Sequence, residues 1–106
     1  MSMDDNFTGI QHIGIPTNDI EATIAFYQKL GFIPVLRTVN EQANEKVAFL
    51  RLHNLTIETY ENKAAEMKTG AIDHIAINCV SIEDAFSYIN KEGLNTTSDT
   101  IHFLPF

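Results

Sequence analysis

The chain has one cysteine, no tryptophan, three prolines and only seven basic residues against fourteen acidic ones among its 106 residues. The lone thiol, Cys79, excludes an internal disulfide and fits a reducing compartment. A formal charge of −7 and a pI near 4.8, without any basic cluster, argue against a nucleic acid or an anionic membrane surface as partner. No apolar run approaches the ~18 residues of a membrane span. The opening MSMDDNFTG is acidic and polar where a signal peptide would be apolar, so the expected location is the cytoplasm. What the chain does have is 44% hydrophobic residues, enough for one modest core.

It also has an internal duplication. Residues 9–32 (GIQHIGIPTNDIEATIAFYQKLGF) and 71–94 (AIDHIAINCVSIEDAFSYINKEGL) align without a gap at an offset of 62, with eight of 24 positions identical. Unrelated stretches would share roughly one or two. The identities include His12/His74, Lys29/Lys91 and Gly31/Gly93, so pattern is preserved along with composition. A first unit ending at Asn62 implies a second ending near residue 124, whereas the sequence stops at Phe106. The second unit therefore reads as cut short by about 15–20 residues, one hairpin.

Alternation over Ile10–Ile15 and over Ile72–Ile77 is the two-face pattern of a strand. Asp19 and Ser81 are good N-caps, and Ile20, Ile24 and Tyr27 (Ile82, Phe86 and Ile89 in the second copy) follow at helical spacing. Gly31 and Gly93 supply the left-handed residue that ends each helix. Three β-prone segments follow in the first copy, Phe32–Val39, Val47–Leu52 and Leu55–Tyr60, the last two joined through His53–Asn54 as a hairpin. The expected class is α+β: two tandem β-α-β-β-β modules forming a curved, cup-like mixed sheet. The modules are 1–62 and 71–106, with connector 63–70 a short helix or turn, and the second module lacks its last two strands.

Strand parity then selects the side chains. Leu55, Ile57 and Thr59 share one face and Thr56, Glu58 and Tyr60 the other; with the apolar pair under the helix, Glu58 faces the concave side. The same logic puts Ile13, Ile15, Ile75 and Ile77 under the helices and His12 and His74 in the cup, beside the small Gly14 and Ala76. Two imidazoles and a carboxylate suit a divalent transition metal and leave coordination positions open for substrate. The repeat places a fourth ligand, the counterpart of Glu58, near position 120. Other candidates read blandly. His53 falls in a turn, His102 aligns with Asn40, Cys79 reads as a small core residue, and Tyr60 either touches a substrate or fills the cup wall.

The openings "QHIGIPTNDIEATIAFYQKLGF" and "IDHIAINCVSIEDAFSYI", with the strand "LTIETYE" between them, resemble the vicinal oxygen chelate superfamily. That superfamily contains glyoxalase I, bleomycin-resistance proteins, fosfomycin-resistance thiol transferases, methylmalonyl-CoA epimerase and extradiol dioxygenases. The resemblance runs from about Thr8 to Phe106. It implies a metal held by His12, Glu58 and His74, with the family's fourth ligand beyond Phe106. Where glyoxalase I carries an Arg that holds the glutathione carboxylate, this chain has Pro16; the family's Asn four residues after the Glu ligand is matched by Asn62.

The implied activity is that of a metal-dependent lyase or isomerase of the glyoxalase type acting on a small oxygen-rich substrate, with Glu58 as catalytic base and Tyr60 and Asn62 as substrate contacts. Zn, Ni, Co, Mn and Fe are the candidate ions. The alternatives are an Fe(II) extradiol-type dioxygenase and a metal-free binding protein of the bleomycin-resistance kind. The expected partners are a small-molecule substrate and, because one module leaves sheet edges exposed, a second copy in a homodimer.

Overall fold

A computed structural model describes residues 1–105, so Phe106, the last residue assigned to the second module, lies outside the described residues. The chain divides into two compact units, Met1–Met67 and Lys68–Phe106. The first unit opens with a single helical turn, α1 (Met3–Asn6), followed by β1 (Ile13–Thr17), α2 (Ile20–Lys29), β2 (Ile33–Asn40), β3 (Glu45–Leu52) and β4 (Leu55–Glu61). The four strands form a mixed open sheet in the order β1-β4-β3-β2. β1 runs parallel to β4, and the other two pairings are antiparallel. The mixed α+β class expected from the sequence is the class observed.

Local chemistry explains these elements. The Asp19 carboxylate accepts the Ala22 N–H at 3.1 Å, satisfying one of the free donors of the first helical turn. Glu61, at the far end of β4, accepts the Ile20 N–H at 2.8 Å and so ties the start of α2 to the sheet. Gly31 closes the helix at φ 97°, a conformation that favours glycine. The β3–β4 hairpin turns on His53 and Asn54, with His53 in the left-handed region at φ 52°.

One face of the sheet carries the core. Ile20 and Ile24 of α2 pack with Phe32, Ala48, Leu50 and Ile57, and Ile15, Tyr27, Leu30, Leu52 and Leu55 flank them. Burial pushes the Tyr27 hydroxyl pKa up, since the phenolate would lose water in this setting. Arg37 of β2 reaches Glu21 of α2 across the rim, an exposed pair that adds little to stability.

Thr59 sits in the same layer, fully buried, and its Oγ1 has no hydrogen-bond partner among the described residues. A buried hydroxyl in that state costs more than it returns. Thr59→Val is therefore expected to raise the stability of the first unit by ~1 kcal/mol, read as a higher urea midpoint at unchanged slope.

The second unit contains α3 (Ile82–Lys91), capped by the Ser81 hydroxyl, which accepts the Asp84 N–H at 3.1 Å, and followed by Gly93 at φ 69°. The capping and termination expected of the second copy are thus present. Its opening strand is not: residues 71–80 carry no strand and are all exposed. The physical reason lies in the ladder. β1 is a strand because it pairs with β4, whereas residues 71–80 have no ladder partner among the described residues. With no sheet face there, Ile75 and Ile77, expected under a helix, are exposed, and so is Cys79, expected as a small core residue. No helix among the described residues is long and apolar enough to cross a membrane.

Candidate metal centre

The face of the first sheet opposite α2 carries the candidate donors. Register places Gly14 beside Glu58 across β1–β4 and Phe49 beside Glu58 across β3–β4, so these side chains share a face. His12 immediately precedes β1, and its Nε2 lies 3.8 Å from Glu58 Oε1, with both side chains about one-third exposed. The Phe49 ring meets the imidazole edge-on, centroids 5.5 Å apart, and limits its rotation. Gly14 leaves a small space beside the pair: a Cβ there would stand 3.6 Å from the Tyr60 ring and 3.9 Å from Glu58 Oε1, in ordinary contact.

Two donors bound to one ion at ~2.0–2.2 Å, subtending ~90–110°, lie ~3.0–3.5 Å apart. The observed 3.8 Å is a few tenths of an ångström from that range and too long for a hydrogen bond. The pair is an imidazole and a carboxylate brought side by side, at a spacing that must shorten by a few tenths of an ångström for the two to share an ion. His12 Nδ1 lies 2.7 Å from Gln11 Oε1, and Nε2 is the ring nitrogen on the carboxylate side.

His74 belongs to the second unit, where its side chain is 78% exposed and its Nδ1 lies 2.5 Å from Asp73 Oδ1. Within either unit, no three His, Cys, Asp or Glu side chains converge among the described residues. The structure thus brings His12 and Glu58 together, and His74 stands in its own unit.

Tyr60 is half-buried on the same face as Glu58. Asn62 lies just past β4, where its Oδ1 accepts the Ala64 N–H at 2.9 Å. It lines a depression of about 500 Å³ with Val39, Lys46, Glu61 and Lys63, at the C-terminal end of β4. This depression is not lined by His12 or Glu58. A hollow without convergent ligand-type side chains specifies no chemistry. His53 and His102 are exposed, as expected of surface residues.

Three contributors escaped the sequence reading. Phe49 was detectable through its register with Glu58, once the hairpin through His53 and Asn54 is counted out. Gln11 and Asp73 occupy matching places at the offset of 62, each a side-chain oxygen directly before a repeated His.

An α-helix laid on a mixed four-stranded sheet, with a His–carboxylate pair on the sheet face opposite the helix, defines a class of small α+β proteins. The chain belongs to the Glyoxalase/Bleomycin resistance protein/Dioxygenase superfamily, whose family model matches residues 9–100. Solved structures share the fold. The manganese(II) and sulfate complex of FosX, a genomically encoded fosfomycin resistance protein from Listeria monocytogenes, aligns at 21% identity and TM-score 0.71, over 88% of this chain and 78% of that one. A glyoxalase family protein from Enterococcus faecalis aligns at 21% identity and TM-score 0.66, over 83% of this chain and 75% of the other. No curated protein matches the chain.

Proposed function

We propose that the chain is a metal-dependent lyase or isomerase of the glyoxalase type, acting on a small oxygen-rich substrate in the cytoplasm as a homodimer. The observation that carries this reading is the approach of His12 Nε2 to Glu58 Oε1 on the open sheet face of a chain from this superfamily. His74 is the proposed third ligand, from the same chain or a second copy. Its support is the repeat that matches it to His12. The donor set suits Zn, Ni, Co, Mn or Fe, and Mn(II) accompanies FosX in one structure of the shared fold.

A divalent ion held by these residues supplies Lewis-acid stabilisation of negative charge developing on substrate oxygens. The chain's own residues do the rest. Glu58 removes the proton from a hydroxyl-bearing carbon next to a substrate carbonyl and returns it to the former carbonyl carbon, while the hydroxyl proton passes to the former carbonyl oxygen, so carbonyl and carbinol exchange places with no external redox partner. Tyr60 bounds the reacting groups beside Gly14. Asn62, whose carbonyl oxygen is already engaged, presents its NH₂ group as a donor to a more distant substrate oxygen. Pro16 offers no cation for a glutathione carboxylate, so the substrate proposed is one that does not require glutathione.

The test is dialysis against each of the five ions, followed by incubation of the loaded protein with 2-oxo thiohemiacetals and related hydroxycarbonyl compounds in D₂O. Retained metal, with deuterium entering the carbon next to the carbonyl and lost in Glu58→Gln, is the expected result. Failure to retain any divalent ion sinks the proposal. Oxygen consumption with catechols on Fe(II) loading would instead assign oxidative ring cleavage, and tight metal-free binding of a cationic drug without turnover would assign sequestration.

The space beside His12 gives a sharper prediction. An alanine at Gly14 makes only ordinary van der Waals contact with Tyr60 and Glu58, whereas a leucine must displace one of them. Gly14→Ala is expected to bind metal within about twofold of the unaltered chain, and Gly14→Leu to lose ~10-fold or more with an unchanged circular dichroism spectrum.

A further inference from the structure

The residue directly before each repeated histidine makes the same contact in both copies. Gln11 Oε1 lies 2.7 Å from His12 Nδ1, and Asp73 Oδ1 lies 2.5 Å from His74 Nδ1. Gln11 and Asp73 are themselves partners at the offset of 62, yet they are different residue types. What the two positions share is an oxygen acceptor one residue ahead of an imidazole. Each contact is local, so it forms without closing a long loop and survives at an exposed site.

We propose that Gln11 and Asp73 are positioning residues that hold His12 and His74 in the Nδ1–H tautomer, leaving Nε2 of each ring as the free donor. An acceptor oxygen at hydrogen-bond distance from Nδ1 favours a proton on that nitrogen, because two lone pairs would repel; at His12 the competing Glu58 carboxylate stands 3.8 Å from Nε2, beyond hydrogen-bond distance, while Gln11 is within it. The consequence for metal binding rests on the reading of the two histidines as ligands. The tautomer assignment itself does not. The two partners differ in strength: the Asp73 carboxylate makes a charge-assisted contact and raises the donor strength of His74 more than the neutral Gln11 amide raises that of His12.

The assignment is discriminating because an imidazole free in water favours the Nε2–H form. Long-range ¹H–¹⁵N NMR on the metal-free, ¹⁵N-labelled chain at about pH 8, where an ordinary imidazole is neutral, reads each ring directly. His12 and His74 are expected as Nδ1–H. Gln11→Leu is expected to move His12 alone toward Nε2–H, and Asp73→Leu to move His74 alone. Gln11→Glu and Asp73→Asn retain an acceptor oxygen and are expected to keep the original tautomers. These are exposed side chains, and a thermal melt of each variant verifies that the fold is kept.

In a Co(II) titration of the same proteins, the leucine variants are expected to bind ~10–100-fold more weakly, with the acceptor-retaining variants recovering most of the loss. Nε2–H rings in the unaltered chain, or leucine variants that leave both tautomers in place, would overturn the proposal. Nδ1–H rings in a chain that retains no ion would support the positioning role and refute the metal reading instead.

Discussion

His12→Ala is expected to lower divalent-metal affinity by more than ~100-fold while leaving the fold intact. Substitutions of groups that merely support a ligand already cost ~10–100-fold, and removal of the ligand itself costs more. The structure makes this a clean experiment. His12 precedes β1, takes no part in the β1–β4 ladder, and contacts Phe49 only through its ring edge. Truncation therefore removes a donor and one aromatic contact without opening the core. Glu58→Gln provides the companion measurement, since it keeps the shape and one oxygen but loses the charge that offsets the cation. Isothermal titration of both variants against Zn(II) and Mn(II), with unaltered melting transitions as the control, checks the prediction. Equal affinity in His12→Ala and the unaltered chain would remove His12 from the metal set.

This pair was legible from sequence because strand parity is a local rule. Ile57 and Thr59 are apolar-side residues of β4, and both are fully buried under α2; Glu58 between them had to face the other way. The first helix was legible for similar reasons, with Asp19 at its start and Gly31 at its end. No strand forms over Ile72–Ile77, although the alternation there matches that of Ile10–Ile15. Alternation describes what a strand would bury and supplies no hydrogen-bond partner. β1 draws its partner from β4, pairing Gly14 with Glu58 across a separation of 44 residues, and a pattern read within one window contains no trace of that. The tautomer-setting contacts were missed for a different reason. They involve non-identical residues, Gln11 and Asp73, and a comparison that counts identities passes over two side chains sharing only an oxygen.

Leu50→Ala is expected to be the most destabilising single truncation in the first unit, at ~3–4 kcal/mol. Leu50 is completely inaccessible, sits on β3 between Pro34 of β2 and Ile57 of β4, and belongs to the layer covered by Ile20 and Ile24. Removal of its outer three carbons forfeits ~2.4 kcal/mol of transfer free energy at ~0.8 kcal/mol per methylene. The residual cavity adds more, because the two flanking strands and the helix above cannot all move inward together. Small domains have only ~5–15 kcal/mol of total stability, and one built from the residues of Met1–Met67 belongs near the lower end. The variant should therefore unfold at a much lower urea concentration, with the dispersion of its amide NMR signals reduced at 37 °C. Leu36→Ala is the matched control: the same change on the neighbouring β2, at a residue 52% exposed, is expected to cost less than ~1 kcal/mol. Similar costs for the two would mean that the open face of β2 is covered in solution, which a sedimentation measurement of the unaltered chain would then reveal as self-association.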